Sequence, residues 1–490
     1  MKRYEYFAFI GNDIGVVFEW LSALTLIPLL IIPFYQEWEM IVPMGSMAII
    51  FFLLGLFLRN IPKRSHAPPL SVALSGVALC WFFVGLVGSI PFILSAHMSL
   101  TNAIFESMSG WTTTGLSMIT SIDALPKTLI FWRSYTQWLG GIGIISFGIA
   151  LHSHSGISLF RLYRSEGRPE ALMPSIVSTA RRIWFIYVVF TVLFTGMLLL
   201  AKISLWDALN LVMVGLSTGG FSHHDAGILY FHSTFLEALL LPVMLIGALP
   251  IQLLFLLYYR RIKPFLKSYI LQFIMITAIV VSLIISADLY YLNGMPLFQA
   301  LNEGIFCTVS GFTTTGFQNA DFNQWAPVAV VLLMILMVFG TSIGSTGGGI
   351  KVNRIIIAYK GLIWWFKRFF VRRNVMVPFH MEGKTFPQNI VDLEISKNLL
   401  IIIIYFITVF ITSVICLQIS PGSFAVYEIF FENISALSNV GLSVGYITPA
   451  SPLTIKWLFI FLMWVGRLEF VAVLVLIMGT IKGFDAIIVK

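Results

Sequence analysis

Charge is what this chain has least of. Only 11% of its 490 residues are Asp, Glu, Lys or Arg, where a soluble domain carries roughly 25%; a water-soluble globule is excluded. Cysteine is nearly missing as well. Cys80, Cys307 and Cys416 are too few and too scattered for a disulfide framework or a thiolate zinc site. There is no G-x-G-x-x-G fingerprint, so no nucleotide is expected on this chain. No Ser/His/Asp or Cys/His set stands in a motif context that argues for hydrolytic chemistry, and the chain is not expected to be an enzyme.

What fills the sequence is apolar: 58% of residues are hydrophobic and the mean hydropathy is +0.92. Runs such as Leu399–Leu417 and Trp457–Ile477 approach the ~20 residues that cross a bilayer as helix, which predicts a polytopic helical membrane protein. The first run is followed by many more and reads as a span rather than a cleaved leader. The net charge of +8 is unevenly placed, with basic residues gathered at Arg59–Arg64, Arg161–Arg182, Arg260–Lys267 and Lys360–Arg373. By the positive-inside rule these linkers face the cytoplasm; a topology signal explains them, and no nucleic-acid partner is expected. The alternate linkers carry Glu37, Glu39, Asp123, Asp225 and Asp321, which favours cation arrival from outside, weakly at physiological salt.

Two strings interrupt the apolar background, GWTTTGL at Gly110–Leu116 and GFTTTGF at Gly311–Phe317. Gly and β-branched Thr are poor helix formers. Broken backbone in hydrocarbon is expensive unless it lines a cavity or packs in protein. Aligned on Gly115 and Gly316, two more strings fall into register at Gly220 and Gly441, giving the cores TTTGL, STGGF, TTTGF and SNVGL. The spacings are 220−115=105, 316−220=96 and 441−316=125, the mark of an internal repeat. Thirteen residues before each glycine lies Asn102, Asp207, Glu303 or Glu428. Each opens a segment of roughly ten residues, too short to span and better read as a re-entrant half-helix, with the polar residue at its N-cap or first turn.

A long apolar run precedes each unit (Leu74–Leu94, Ile183–Leu200, Ile270–Leu292, Leu399–Leu417) and another follows (Thr128–Leu151, Phe235–Tyr258, Val328–Tyr359, Trp457–Ile477). Two further runs, near Val16–Tyr35 and Met40–Leu58, stand before the first. The expected fold is an all-α polytopic membrane protein of ten spans and four re-entrant loops, with both termini cytoplasmic. Residues 1–66 hold the two extra spans, and 67–160, 161–262, 263–373 and 374–490 form the four span–half-helix–span units.

Four such strings around a pseudo-fourfold axis would ring a water-filled passage with carbonyl oxygens, which can replace the hydration shell of a monovalent cation. Glycine frees φ and leaves no Cβ in the passage; the C-terminal ends of the half-helices, aimed at the axis, also favour a cation. The strings hold no carboxylate ring, which disfavours divalent selectivity. Gly340, Gly344, Gly347, Gly348 and Gly349 lie in the third unit's second span, and at ~1 kcal/mol per Gly relative to Ala that span should break. Ile350 between Gly349 and Lys351 spoils the spacing of a phosphate-binding loop.

Arg467, in the last span, stands where a charge costs roughly 2.5–3.5 kcal/mol and is functional by default. Glu469, two residues away, does not share its face, so Arg467 should find carbonyls or water. Arg133, Gln137 and Lys351 are weaker candidates, and helix-end snorkelling explains Arg133 and Lys351 almost as well. His223, His224 and Asp225 read as a solvated external loop, since adjacent side chains diverge, and His152 and His154 read likewise.

FWRSYTQWLGGIGI (Phe131–Ile144) and GTSIGSTGGGIKVNR (Gly340–Arg354) resemble the two signatures of the Trk/Ktr/HKT superfamily of potassium transporters. The resemblance runs from about Leu70 to the C-terminus, and the two extra spans make the chain similar to the TrkH/TrkG-type membrane subunit. It implies that Gly115, Gly220, Gly316 and Gly441 are filter glycines. Neighbouring carbonyls at Thr112, Thr113, Thr114, Ser217, Thr218, Gly219, Thr313, Thr314, Thr315, Ser438, Asn439 and Val440 would then coordinate the ion. K⁺ itself would sit at Thr113, Thr114, Thr218, Gly219, Thr314, Thr315, Asn439 and Val440.

The resemblance also implies a gate at Gly340–Gly349, with Ser345, Thr346 and Lys351, and an electrostatic brake at Arg467. Retention of the first glycine favours K⁺, because some plant relatives with serine there pass Na⁺; SNVGL, the most divergent string, suggests looser selectivity. Implied partners are a second copy, in a homodimer, and a cytoplasmic nucleotide-binding RCK-type (TrkA-like) subunit docking on the linker Lys360–Lys397. A symporter coupling K⁺ to Na⁺ or H⁺, or a Na⁺-permeable member, is the alternative. Coupled transporters usually carry discontinuous helices in two halves, whereas one glycine-broken span is expected here.

Overall fold

Six stretches are helical, long and apolar enough to cross a bilayer: Ala8–Tyr35, Trp38–Arg59, Ser71–Ser95, Val177–Ala201, Tyr269–Tyr291 and Val391–Ile419. They belong to a computed structural model that describes residues 3–61, 70–143, 176–342, 344–371, 377–381, 384–386, 388–420, 422 and 424–483. The first helix, Arg3–Leu24, lies along Ile41–Arg59. Gly15 and Gly55 mark their closest approach, where a Cβ on either would press into the other helix's backbone, a small-residue crossing of the kind membrane helices favour.

The expectation of a single broken span is corrected. Thr234–Ala248 meets Ile251–Tyr258 at 115°, and Leu453–Arg467 meets Val471–Lys482 at 111°. Pro250 explains the first bend: it removes a donor and drives Leu249 out of the helical region, to ψ 146°. At the second, Glu469 and Phe470 both take positive φ, 52° and 66°. In the third unit Pro327–Val338 stops, residues 339–342 and 344–351 run as a glycine-rich loop, and Val352–Phe369 resumes, as the glycine content predicts. In the first unit Lys127–Ile142 ends at Gly143, φ 97°. His152, His154 and parts of the basic linkers at 62–64, 161–175 and 372–373 lie outside the described residues. A two-stranded antiparallel hairpin, Phe379–Met381 with Lys384–Phe386, interrupts the otherwise helical pattern in the linker before the last unit.

The four half-helices are present as Leu100–Trp111, Leu205–Leu216, Leu297–Phe312 and Val426–Leu437. Ser99 and Ser204 cap the first two, accepting from the amides of Asn102 and Asp207, and Glu428 folds back onto the amide of Ala425 at 2.8 Å. Three of the four polar residues therefore sit in a first turn. Glu303 does not: its helix begins six residues earlier, after Pro296. Gly140, Gly247 and Gly466 carry the second helices across the half-helix C-terminal ends. A Cβ at any of them would strike the carbonyl of Trp111, Leu216 or Leu437 at under 3.0 Å.

Candidate functional site

Each half-helix ends in the same way. The amides of Thr114, Gly219, Thr315 and Val440 reach back to the carbonyls of Ser109, Val214, Ser310 and Ser435 at 2.8–2.9 Å. Those of Thr113, Thr218, Thr314 and Asn439 reach Gly110, Gly215, Gly311 and Ala436 at 3.1–3.2 Å. This is the Schellman pattern, which requires a left-handed residue just past the cap. That residue has φ 55° at Thr113, 54° at Thr218, 55° at Thr314 and 51° at Asn439. Left-handed backbone is a genuine outlier for β-branched threonine, and strain of this sort collects at functional sites. Asn439 occupies the position with the residue that tolerates it best, so the divergent fourth string keeps the common backbone.

Two residues on, Gly115, Gly220, Gly316 and Gly441 again take positive φ, 77–93°. Their neighbours reveal the arrangement. A Cβ on Gly115 would fall under 3.0 Å from the carbonyl oxygen of Gly219; on Gly220, from that of Thr315; on Gly316, from that of Val440; and on Gly441, from that of Thr114. The order runs 115 to 220 to 316 to 441 and back to 115, so the strings close into a ring in sequence order. All twelve residues Thr112–Thr114, Thr313–Thr315, Ser438–Val440, Ser217, Thr218 and Gly219 are buried.

The hydroxyls turn back onto the half-helices: Thr112 Oγ1 donates to Met108 O at 2.7 Å, and Thr313 Oγ1 to Val309 O at 2.7 Å. The carbonyls of Thr113, Thr114, Thr314, Thr315, Asn439 and Val440 accept no hydrogen bond among the described residues. Buried carbonyls are rarely left without a partner. Gly219 differs, because Gln137 Nε2 donates to its oxygen at 2.5 Å while Gln137 Oε1 accepts from the Phe221 amide at 3.1 Å.

The 340–349 loop lies against the half-helix end of this ring. Thr346 Oγ1 is 3.1 Å from Thr218 Oγ1 and donates to Gly247 O at 2.9 Å. The amide of Gly348 donates to Thr314 Oγ1 at 3.0 Å, and a Cβ on Gly348 would collide with Ser438 O. Arg467 completes the layer, donating to Thr346 O at 2.5 Å, Gly140 O at 2.5 Å, Gly141 O at 3.1 Å and Thr113 Oγ1 at 3.2 Å. One loop and one guanidinium thus touch all four strings. Gly340 packs on Gly349, closing the loop at its neck, and Ser345 donates to Ser342 O. Gly344 O accepts from the Ile251 amide at 3.3 Å. Lys351 is buried, not snorkelled: its ammonium donates to Gly347 O and lies 4.0 Å from Glu469, which also pairs with Arg354.

Sequence reasoning missed what stands behind the ring. Arg133 does not snorkel either; it is 1% exposed, and its Nε meets Glu106 at 2.9 Å. Glu106 also accepts from Ser117 Oγ at 3.0 Å and the Met118 amide at 2.7 Å. Glu432 repeats this in the fourth unit, accepting from Ser443 Oγ at 2.7 Å and the Val444 amide at 3.0 Å. The signal lies in the spacing, since 115−106=9 and 441−432=9, with a serine two past each glycine. Both carboxylates brace the chain as it leaves the ring.

Removing one partner of a buried pair leaves an uncompensated charge, at a cost of ~3–5 kcal/mol. Arg133→Met is therefore expected to lower the thermal midpoint and yield of the detergent-purified protein sharply. The Glu106→Gln/Arg133→Met double variant should recover much of both.

His223 and His224 are buried, 2% and 7% exposed, so the solvated-loop reading of this pair is corrected. Asp225 stays near the surface and accepts from Ser121 Oγ at 3.2 Å.

Residues 44–481 match the TrkH family profile, described as a cation transport protein. An uncharacterised cation transporter of Methanocaldococcus jannaschii is 30% identical over 468 residues, covering 94% of each chain. The Trk system potassium uptake protein TrkH of Escherichia coli K12 is 31% identical over 421 residues, 82% of this chain and 84% of that one. The crystal structure of the potassium transporter TrkH from Vibrio parahaemolyticus superposes with a TM-score of 0.84 at 27% identity, over 97% of this chain and 99% of that one.

Proposed function

Because the chain belongs to the TrkH family of cation transport proteins, we propose that it takes up K⁺ across the cell membrane through the ring of four strings. The observation that carries this reading is the closed glycine ring with its unpartnered carbonyls. Buried oxygens without donors are what a dehydrated alkali cation requires, and coordination by carbonyl dipoles of sufficient number and field strength discriminates K⁺ from Na⁺. The 340–349 loop and Arg467 act as the gate, one by occupying the passage and the other by its charge.

Both termini and the basic linkers face the cytoplasm. A second copy completes a homodimer, and a nucleotide-binding RCK-type subunit docks at 360–397. Coupling to Na⁺ or H⁺ is the second reading, and the discontinuous helices bear on it. Coupled transporters place such breaks in two matched halves; here the second and fourth units bend and the first unit's helix ends beside a glycine that crosses a half-helix end, while the third breaks at its glycine-rich loop. Interruptions in all four units, rather than in two matched halves, support a channel-like path.

In a host lacking its own K⁺ uptake, the chain is expected to restore growth at submillimolar K⁺ (co-expressed with a regulatory subunit if required). In proteoliposomes, the reversal potential should follow the K⁺ gradient alone. A shift with an imposed Na⁺ or proton gradient would replace this reading by the coupled one.

A further inference from the structure

At the ring's other face, three residues past Gly220, the chain passes His223 and His224 beside the N-terminal turn of its own half-helix. His223 Nε2 and His224 Nε2 each lie 3.2 Å from Asp207 Oδ1, and the ligand atoms of the three residues all fall within 4.8 Å of one another. Neither ring nitrogen of the buried His223 has a hydrogen-bond partner among the described residues. An imidazole sequestered with both nitrogens unsatisfied is costly, and here its Nε2 faces a carboxylate oxygen without the alignment of a hydrogen bond.

The surrounding contacts fix the other two ligands. His224 Nδ1 lies 2.8 Å from Asp123 Oδ1, and Asp123 Oδ2 accepts from the Asp225 amide at 3.1 Å. With a proton on Nδ1, held by Asp123, a neutral ring turns its Nε2 lone pair toward Asp207 Oδ1. Two electron-rich atoms at that distance need a cation to bridge them, either a second ring proton or a metal ion. Tyr230 stacks on the His224 ring at 3.6 Å, and Ser204 Oγ donates to Asp207 Oδ2 at 2.7 Å, leaving Oδ1 free. Asp207 and Asp123 form ion pairs with no lysine or arginine among the described residues.

We propose that His223 Nε2, His224 Nε2 and Asp207 Oδ1 form a site for a zinc-type divalent transition metal at the mouth of the ring, with Asp123 orienting His224. A tetrahedral ion with bonds of 2.0–2.1 Å spaces its ligand atoms roughly 3.3 Å apart, which matches the two 3.2 Å separations. Two imidazoles and one carboxylate suit zinc, and three protein ligands leave a fourth position for water. A carboxylate on the far nitrogen of a ligating histidine is the usual second partner of such sites. Asp123 is 45% exposed and gives the ion a way in. Resting on the transport reading above, a bound dication here places positive charge beside the path of K⁺ and ties the chain leaving the second string to the loop leaving the first. External zinc therefore inhibits uptake.

The full chain, purified in detergent, is exposed to excess Zn²⁺ and desalted. One zinc per chain is expected by mass spectrometry, falling to background in His223→Ala/His224→Ala. Asp123→Asn keeps all three ligands and is expected to weaken binding about 10–100-fold, so the test survives if the double variant fails to fold. Co²⁺ in place of Zn²⁺ should give the visible absorption of a tetrahedral site. In cells, external Zn²⁺ should depress uptake by wild type and spare His223→Ala/His224→Ala. Substoichiometric zinc in wild type, or unchanged zinc in both variants, overturns the site; an imidazolium pair would give the first result. Bound zinc with uptake unaffected overturns the inhibition. Bound zinc with no K⁺ uptake at all would instead sink the transport reading and leave the site standing.

Discussion

Gly316→Ser is expected to abolish growth at low K⁺ and to bring the K⁺/Na⁺ permeability ratio down by about tenfold or more, roughly 1.4 kcal/mol of lost discrimination. Two effects act at once. The residue has φ 84°, a region that costs an L side chain roughly 1–2 kcal/mol. The new Cβ would also lie under 3.0 Å from Val440 O, with Val440 C and the Gly441 α-carbon close behind. These are backbone atoms of the next string, so no rotamer change relieves the clash; the Val440 carbonyl must turn away. Gly445→Ala separates the two effects. Gly445 has φ 85°, yet nothing lies within 4 Å of the place its Cβ would take, so it carries the conformational cost without the collision. Growth and selectivity near wild type are expected there. Equal selectivity loss in both variants would assign the effect to general strain, and unchanged selectivity in Gly316→Ser would remove the ring from the ion path.

The glycine ring was legible because a long-range constraint leaves its mark at one position of each string. A carbonyl approaching an α-carbon allows only glycine, and four copies at matching distances from matching half-helices cannot be produced by hydrophobicity alone. The break at 340–349 was legible too, since several glycines in one span defeat helix outright. The bends at Leu249–Pro250 and Leu468–Phe470 were not: Pro250 marks only the first, and what the two share is tertiary, the crossing of a half-helix end at Gly247 and Gly466. For Arg133 and Lys351 snorkelling stayed open as an alternative, because a sequence gives depth along a helix but not the partner across it. Glu106 lies 27 residues from Arg133, and Gly347 belongs to a loop whose path the sequence does not dictate. His223 and His224 were misread because adjacency separates side chains only in regular structure. In the irregular chain after Gly220 both rings converge on Asp207, 3.2 Å from its Oδ1.

Arg467→Gln is expected to raise K⁺ flux about tenfold or more, measured as initial uptake at saturating K⁺. Its guanidinium is 3.2 Å from Thr113 Oγ1, at the half-helix end of one string, so on the proposed path an ion leaving the ring passes close to it. A like charge 4–8 Å away contributes about 2–4 kcal/mol at an effective dielectric of about 20, and glutamine keeps a donor for Thr346 O without that charge. Deleting Thr346–Gly348 should give a comparable rise by removing the backbone that rests on Thr218, Thr314 and Ser438. Because Arg467 holds the loop through Thr346 O at 2.5 Å, each change already releases part of the other's obstruction. The double variant should therefore exceed the better single one by much less than the product of the two, the coupling that contacting groups display. Arg467→Lys, which keeps the charge and loses the fork, should stay near wild-type flux. Full multiplicativity would mean that the charge and the loop obstruct the ion independently, and flux unchanged in both single variants would place the barrier elsewhere along the path.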